Sequence, residues 1–283
     1  MENIEFNPVR SFIFVDCPQE KNRHKLQHWM YYHHVPESMA KFGPFVTKYT
    51  YYWALPVPDD GERFGGRNFC LTEHYWLVNP NDSRTMVNAL SEYFPPEAMV
   101  WQGHLPDRPE TYEKSMFNGD DARATEGNEE DDTIPFVYIF MPFWWEEDLK
   151  GASRTLEDGY NYRWLFTFKY PDGVSLEQGD KWFFDEMMPT FCNMPQTTRI
   201  LTSRVKSELN DSPYQRVVEI WFEDNEKWLE AVTEGVKNMK KPEWATVDSF
   251  PFLKPQKEIV SLFLSDLPGD DHYSQYHGYQ PRR

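Results

Sequence analysis

Alternating and continuous apolar stretches divide the first hundred residues into predicted strands and helices. Residues 11–16 are rich in β-branched and aromatic side chains, which predicts a strand. Apolar positions then recur at helical spacing over residues 21–41, and Pro36 is expected to kink or shorten that helix. The pattern next predicts strands over residues 45–55 and 69–78, a helix that follows Asn79 and ends near Tyr93, and a short strand that begins at residues 99–102. The predicted order is β-α-β-β-α-β.

A similar succession of elements begins again near Tyr162. Strands are predicted over residues 165–170, 199–205, 216–223 and 258–264, and helices over residues 175–193 and 225–238. Between the halves, residues 107–132 are acidic and polar, which indicates a solvated linker or long loop. Residues 136–143 are apolar and predict an extra strand that bridges the halves. The tail after Pro268 is polar and rich in tyrosine.

Residues of the first half return in the second half at constant offsets. Trp182 follows Trp29 by 153 positions, and Pro189 follows Pro36 by the same number. Other pairs share an offset of 146: Glu73 with Glu219, Asn79 with Asn225, Pro96 with Pro242 and Glu97 with Glu243. Two runs of constant offset joined by one change in loop length predict a duplicated unit. The loop at residues 56–68 is then expected to be seven residues longer in the first copy.

The predicted order of elements defines a fold class. A β-α-β-β-α-β unit is the ferredoxin-like motif, in which helices cover one face of an antiparallel sheet. The other face must also be buried, and two units in one chain can bury it sheet against sheet. We therefore predict an α+β protein whose two sheets pack together as an α+β barrel. The predicted organisation is a first repeat over residues 1–106, an acidic linker over 107–135, a bridging strand and second repeat over 136–267, and a polar tail over 268–283.

Short motifs add a resemblance to a known superfamily. They are the triplet His34-Val35-Pro36, the aromatic run at residues 49–52, and residues 169–173 followed by Trp182 and Pro189. With these motifs the chain resembles the dimeric α+β barrel superfamily, and within it the EthD-like proteins, outside the linker and the tail. Members of that superfamily are usually single units that dimerise, so the resemblance implies a fused pseudo-dimer. A further homodimer of the whole chain is left open.

Composition and charge narrow the classes of partner. The formal net charge of −17 disfavours phosphate backbones and anionic lipid surfaces, because both are bound by clustered Lys and Arg. We therefore expect neither nucleic acid nor a membrane as a partner. Cys17, Cys70 and Cys192 are too few and too widely spaced for a disulfide framework. The N-terminus does not resemble a signal peptide and no apolar run approaches membrane-spanning length, so we expect a cytoplasmic protein.

Histidine is distributed unequally between the two predicted copies. Histidines of the first copy, or just after it, are His24, His28, His33, His34, His74 and His104. Residues 136–267 contain none, and the remaining two lie in the tail. Histidines that served only for packing would be expected to recur in both copies. A duplicated fold with histidine in one copy therefore indicates a single active cleft, between the first sheet and its helices.

The candidate acids and bases follow from this asymmetry. Histidine transfers protons near neutral pH, so His33 and His34 are candidates, and His34 is preferred because it matches the His-x-Pro pattern of the resembled family. Glu73 and His74 are adjacent on a predicted strand and should face opposite sides of the sheet. Glu73 recurs in the second copy, which indicates a structural role. His74 is replaced by Ile220, which fits a catalytic role.

Carboxylate and aromatic side chains complete the predicted site. Asp16 ends the first strand and is replaced by Lys169 in the second copy, so we expect it to orient a histidine. Tyr51 is predicted to polarise a carbonyl or phenolate oxygen. Aromatic residues form 17% of the chain, and we expect some of them to line a cavity for an apolar or aromatic ligand rather than only to fill a core. The predicted substrate-binding residues are Trp29, Tyr32, Tyr49, Tyr52, Trp53 and Trp76.

Metal and cofactor sites have weaker support in the sequence. His24 and His28 have a spacing that permits shared metal coordination, but no HExxH motif or cysteine pair accompanies them. The resemblance also raises haem, yet two-unit barrels of that superfamily usually carry the axial histidine in the second unit, which has none here. The chain also contains no glycine-rich phosphate loop and no nucleophile elbow. We therefore expect no metal and no cofactor.

The sequence favours an enzyme that acts on a small molecule. We expect a cofactor-independent lyase, dehydratase, cyclase or isomerase that transfers a proton on a bulky, apolar, aromatic or polycyclic substrate. Two alternatives stay open. One is a non-catalytic protein that binds such a molecule, and the other is a cofactor-free oxygenase of phenolic substrates.

Overall fold

The computed structural model contains two antiparallel sheets that pack against each other. It describes residues 9–16, 23–31, 35, 46–68, 70–76, 137–143, 147–151, 162–206, 214–265 and 270–271. The predicted helix after Asn79, the predicted strand at residues 99–102 and the predicted linker lie outside these residues.

The first sheet is built around β1 (Val9–Asp16). This strand lies between β3 (Cys70–Trp76) and β4 (Val137–Phe143), and β2 (Val46–Trp53) pairs with the other edge of β3. A two-residue strand, β10 (Asp270–Asp271), pairs with the outer edge of β2. All of these pairings are antiparallel.

The second sheet has the same arrangement around β6 (Tyr162–Phe168). This strand lies between β8 (Arg216–Phe222) and β9 (Ile259–Ser265), and β7 (Arg199–Arg204) pairs with the other edge of β8. The outer edge of β7 is covered by β5 (Glu147–Lys150). The predicted fold class, an α+β protein with two antiparallel sheets packed together, is therefore confirmed.

Helices accompany both sheets. In the first half, α1 covers Arg23–Trp29. In the second half, α2 (Leu176–Trp182) continues through a π-helical turn into α3 (Met188–Asn193), and α4 covers Asn225–Glu230. A capping box of Ser175 and Gln178 satisfies backbone donors at the start of α2. Within the described residues, no helix has the length and apolar character needed to cross a membrane.

The fourth strand of the first sheet comes from the segment expected to bridge the halves. Val137–Phe143 pairs with β1 along its length, with Met141 opposite Phe12, and so takes the position that β9 has in the second sheet. The chain then crosses to the second sheet as β5, and after β9 it crosses back to the first sheet as β10. Each sheet therefore has an edge strand, β10 or β5, that directly follows a strand of the other sheet in the order of the described strands.

The central strands of the two sheets have matching registers. Phe12 faces Glu73 across β1 and β3, and Leu165 faces Glu219 across β6 and β8. These pairs keep the offsets of 153 and 146 seen in the sequence. The constant offsets therefore correspond to equivalent positions in the two sheets.

The longer connection of the first half is found between β2 and β3. Thr50 faces Glu73 where Leu201 faces Glu219, so β2 and β7 are related by an offset of 151 rather than 153. The loop itself is thus five residues longer than its counterpart, not seven. The other two residues lie between Pro36 and Thr50, where the offset falls from 153 to 151.

An apolar layer fills the space between the sheets. Its members, all almost fully buried, are Phe12, Phe14, Leu71, Met141 and Phe143 from the first sheet and Leu165, Val217, Val260, Leu262 and Leu264 from the second. Burial of this area removes the apolar faces of both sheets from water, which is the main force that joins the halves. The edges also meet, because Phe143 forms a bridge with Val205 and Leu55 N donates to Phe263 O over 2.6 Å.

Candidate active site

Side chains of the first sheet alternate between a helix-facing side and a side that faces the second sheet. Tyr49 and Tyr51 on β2 and His74 on β3 lie on the helix-facing side, where the ring of Tyr51 meets Tyr31 at the end of α1. Glu73 lies on the other side, as the alternation along the strand predicts. Other described residues on the helix-facing side are Ser11, Ile13, Val15, Trp53, Cys70 and Thr72.

His74 lies in a closed environment at the centre of this side. It is 3% exposed, and its ring meets the ring of Tyr49 edge-on at 4.4 Å between centroids. Its Nδ1 atom is 3.5 Å from Ser11 Oγ, which lies directly opposite it on β1. A hydroxyl group in this position can hold one tautomer of the imidazole, which leaves Nε2 for other partners.

Tyr51 presents a buried hydroxyl on the same side. Its ring is packed edge-on against Tyr31 and Trp53, at 5.8 and 5.0 Å between centroids. Within the described chain, its hydroxyl makes no hydrogen bond apart from a contact with the Cys70 thiol. Burial raises the pKa of Tyr51 far above its ordinary value, and the neighbouring Cys70 adds to this effect. Tyr51 therefore stays protonated at physiological pH and can donate a hydrogen bond to an oxyanion.

Tyr52 lies on the opposite side of β2 from Tyr51. Its hydroxyl donates to Glu73 Oε2 over 3.1 Å, and the guanidinium of Arg163 lies over its ring at 4.8 Å. The structure thus separates Tyr52 from Tyr49 and Tyr51, with which it was grouped in the sequence. Trp53 is half-buried and stays on the side of Tyr51.

Other predicted site residues are described in their backbone alone or not at all. Trp29 ends α1, Asp16 ends β1 and Trp76 ends β3. His33, His34 and Tyr32 lie outside the described residues. His24 and His28 are exposed on α1. Among the side chains that the structure describes, no three His, Cys, Asp or Glu residues come together as metal ligands would.

A buried ionic cluster joins the two sheets at their centre. Arg10 on β1 donates to Glu73 on β3 and also, through two nitrogens, to Glu219 on β8. Arg163 on β6 donates to Glu219 Oε2 over 3.0 Å. Lys48 on β2 donates to Glu73 Oε2 over 2.9 Å. The cluster therefore links a carboxylate of each sheet through one guanidinium.

Charge is retained in this cluster despite burial. Burial would lower the pKa of Arg10, but the carboxylates of Glu219 and Glu73 raise it well above its ordinary value. Burial would raise the pKa of Glu73, but the charges of Arg10 and Arg163 and a hydrogen bond from Tyr52 hold it below its ordinary value. Arg10 and Glu73 are therefore both charged at neutral pH, and each depends on the other.

The two buried arginines, Arg10 and Arg163, were not among the predicted site residues. Arginine is usually a surface residue, and nothing in the local pattern around Arg10 or Arg163 indicates full burial. One signal was available: Arg163 follows Arg10 by 153 positions, the offset that relates Trp182 to Trp29. Arg10 and Arg163 recur at one of the two offsets of the repeat, as Glu73 and Glu219 do. This recurrence would have grouped the two arginines with the two glutamates.

The helix-facing side of the second sheet is filled by aromatic rings. Trp164 on β6 is fully buried and stacks on Phe166 at 4.3 Å between centroids. Its other side meets Phe64, which comes from the loop between β2 and β3 of the first half, at 5.2 Å. Trp228 of α4 and Phe191 of α3 pack against the same ring. This side of the second sheet carries no histidine.

Comparison with known families points to the first half. A family model described as "Chalcone isomerase N-terminal domain" matches residues 6–107. This span includes β1, α1, β2 and β3, and with them His33, His34 and the helix-facing side that carries His74 and Tyr51. It covers less than half of the chain. Among curated proteins, none matches this chain.

Solved structures that align with most of this chain have low sequence identity to it. An anthrone oxidase-like protein is 10% identical over 95% of this chain and 94% of that chain, with a TM-score of 0.49. A variant of the chlorite dismutase from Candidatus Nitrospira defluvii, in complex with cyanide, is 7% identical over 93% of this chain and 92% of that chain, with a TM-score of 0.46. Likenesses at this level carry no argument about activity.

Proposed function

We propose that this protein is a cofactor-independent isomerase that closes a ring in an aromatic enone of the chalcone type. One observation carries the proposal, namely that the residues matched by a family model also contain the candidate catalytic side chains. Residues 6–107 match the chalcone isomerase N-terminal domain, and the same residues hold His33, His34, His74 and the buried hydroxyl of Tyr51. The aromatic composition of the chain supports an aromatic substrate.

The chemistry of such a reaction needs an acid and a base but no redox partner. In a chalcone with a hydroxyl group ortho to the carbonyl carbon, the phenolic oxygen adds to the β-carbon of the enone and closes a six-membered ring. The phenol loses its proton, a C–O bond forms, and the α-carbon gains a proton, so the product is an isomer of the substrate. Negative charge passes from the phenolate to the enolate oxygen during the addition. A base for the phenol and a donor for the enolate therefore accelerate the reaction.

The residues of the first half can fill these roles. His34 takes the phenolic proton, with His33 as the alternative, on the argument from the sequence. Tyr51 donates to the enolate oxygen, because its hydroxyl is buried and its raised pKa keeps it protonated. His74 serves as the second proton carrier on the same side of the sheet. Asp16 is the carboxylate that orients a histidine.

The walls of the cleft are aromatic in this proposal. Tyr49 and Trp53 lie on the same side of β2 as Tyr51 and contact the substrate rings. Tyr52 has a structural role instead, because it hydrogen-bonds the buried Glu73. The other residues assigned to the walls are Trp29, Tyr32 and Trp76.

A duplication within the EthD-like group of the superfamily accounts for the second half. Equal strand order in the two sheets supports this origin, as does the equal register of the Phe12–Glu73 and Leu165–Glu219 pairs. In this view, the first copy carries the catalytic groups and the second copy supplies a scaffold.

Turnover of 2′-hydroxychalcone and its ring-hydroxylated derivatives tests the proposal. The purified protein should bleach the yellow chalcone without any added cofactor and give a flavanone of unchanged mass, at the same rate under air and under nitrogen. Consumption of oxygen with a mass increase would instead favour a phenol oxygenase. Binding of the chalcone without any conversion would favour a non-catalytic binding protein.

Substitution of the two histidines identifies the proton carrier. His34→Gln should lower kcat by about 10²–10⁴-fold, the usual contribution of general acid–base catalysis, while the Kd for the flavanone product changes little. His33→Gln is the matched control on the adjacent residue. Equal turnover by the wild type and by a variant with both His33→Gln and His34→Gln would contradict the assignment of the proton transfer to these two histidines.

A further inference from the structure

The loop between β2 and β3 leaves the first sheet and pairs with the second. This β2–β3 loop (residues 54–68) begins after Trp53 and leads back to Cys70, which face each other across the two strands. Between these points it lies along β9, the edge strand of the second sheet. Three backbone hydrogen bonds join the loop to β9: Leu55 N to Phe263 O, Arg67 N to Ser261 O, and Ser261 N to Gly65 O.

The tip of the loop enters the core of the second half. Phe64 ends a short 3₁₀ helix (Gly61–Phe64) and is fully buried. Its ring lies among three aromatic rings of the second half, with centroids 5.2 Å from Trp164, 5.5 Å from Trp228 and 5.6 Å from Phe250. Phe64 is thus the one residue of the first half that belongs to this core cluster as the structure describes it.

The backbone of the tip is adapted to this close contact. Gly65 has φ +67°, in the left-handed region that favours glycine, and a Cβ atom at this position would lie 2.1 Å from Ile259 O. Arg63 donates to Phe250 O over 2.5 Å and to Val232 O over 3.3 Å. Ser261 Oγ donates to Phe64 O over 2.7 Å. The tip is therefore held by hydrogen bonds as well as by packing of the ring.

The two ends of the loop adjoin residues assigned to the site. Tyr51 lies two residues before the end of β2, in edge-on contact with Trp53, and the neighbouring Cys70 begins β3. Any movement of the loop relative to the first sheet is transmitted to these positions, because both strand ends continue directly into it. The turn that carries Phe64 lies within this loop, which is five residues longer than its counterpart between β7 and β8.

We infer that Phe64 is a positioning residue: by inserting into the core of the second half, it fixes the ends of β2 and β3 and thereby the place of Tyr51. The expected effect of Phe64 on catalysis rests on the proposed function. Its expected effect on the ends of β2 and β3 does not. The second half, which lacks histidine, has in this account a specific task, since it holds one wall of the site in the first half.

Hydrogen exchange followed by mass spectrometry tests the inference without a substrate. Phe64→Ala is compared with Phe191→Ala, which removes a buried ring from the same core, next to Trp164 and Phe250, but leaves the loop intact. Backbone amides of residues 46–56 should exchange at least ten-fold faster in Phe64→Ala than in Phe191→Ala. Amides of residues 216–222 in the second sheet should be affected similarly in both. Phe64→Leu, a smaller loss of volume, gives the same contrast if Phe64→Ala does not fold.

Activity provides the second readout. Phe64→Ala should lower kcat for chalcone isomerisation at least five-fold at a temperature where it is fully folded, and Phe191→Ala should lower it less than two-fold. Equal exchange of residues 46–56 in the two variants would overturn the positioning role. A wild-type protein that converts no chalcone, together with faster exchange in Phe64→Ala alone, would instead reject the proposed function and keep the positioning role.

Discussion

The two sheets share a buried ionic cluster where they face each other, and they differ at several positions where they face their helices. On the inner side, Arg10 corresponds to Arg163 and Glu73 to Glu219, and all four are buried in one ionic cluster. On the helix-facing side, equivalent strand positions carry different residues: Ser11 and Trp164, His74 and Ile220, Tyr49 and Ile200, Thr72 and Val218. At these four positions, the residue of the first half is replaced by an apolar residue in the second half.

This difference follows from what each side must satisfy. The inner sides pack against each other, so a change in one sheet must fit the opposite sheet, and a lost charge would leave its partner uncompensated. The helix-facing sides pack separately, and each can change without the other. Under the proposed function, the helix-facing side of the first sheet contacts a ligand, whereas that of the second sheet contributes to stability through its packed aromatic rings.

The largest expected effect comes from the shared inner side. Arg10→Met leaves Glu73 and Glu219 buried without the guanidinium that joins them, and this should lower the free energy of unfolding by about 3–5 kcal/mol. Urea denaturation measures the change. Lys181→Met is the control, since Lys181 pairs with Asp185 on an exposed helix surface and its loss should have no measurable effect. Equal stability of Arg10→Met and wild type would show that the cluster does not join the halves.

The next effect separates the two sides of one strand. Tyr51→Phe should lower kcat by about 10²-fold, the loss expected when one donor to an oxyanion is removed, with little change in stability. Tyr52→Phe should leave kcat unchanged and lower the free energy of unfolding by about 1–3 kcal/mol, because Glu73 loses a hydrogen bond. Steady-state kinetics and urea denaturation of both variants distinguish the two outcomes. A lower kcat in Tyr52→Phe together with an unchanged kcat in Tyr51→Phe would place the site on the side of the first sheet that faces the second sheet.

Exchange of equivalent residues between the halves has a smaller effect. His74→Ile gives the first half the residue of the second, and we expect at least ten-fold lower kcat/KM with a stability change below about 1.5 kcal/mol. Ile220→His, the reciprocal change, introduces a buried polar group and should cost about 1–3 kcal/mol of stability while activity stays constant. Loss of activity in Ile220→His at full folding would show that the second half takes part in the chemistry.

The smallest effect concerns the dependence of stability on pH. The pKa of Glu73 is lower in the folded protein than in the unfolded chain, so its charge stabilises the fold at all pH values above its ordinary pKa. This contribution is lost as the pH falls below that value and through the folded pKa. In Glu73→Gln, the free energy of unfolding should therefore depend less steeply on pH between about 5 and 2 than in the wild type. Parallel curves for the two proteins would contradict the lowered pKa.

Much of this fold is readable from local patterns in the sequence. Strands β6 to β9 of the second half, together with α2 and α3, fall within a few residues of their predicted bounds, for example α2 and α3 over 176–193 and β9 over 259–265. The spacing of apolar residues and the capping residues of these elements are local signals. The capping box of Ser175 and Gln178 is an example. The alternation that sends Glu73 and His74 to opposite sides also follows from strand geometry alone.

Pairing partners could not be read in this way. The apolar run at residues 136–143 predicts a strand, but periodicity does not say that its partner is β1, more than a hundred residues earlier. Tyr51 and Tyr52 are both aromatic residues of one strand, and only the position of Glu73 on the next strand shows which of them faces inward. The insertion of Phe64 into the other half depends on tertiary packing, for which its own loop gives no signal.

Titration of the protein with a flavanone counts the ligand sites on each chain. We expect isothermal titration calorimetry to give one flavanone molecule bound per chain. Binding should be lost in Ser11→Trp, which gives the first half the residue that fills the equivalent place in the second. Two molecules bound per chain, or one bound with unchanged affinity in a folded Ser11→Trp variant, would contradict a single site on the helix-facing side of the first sheet.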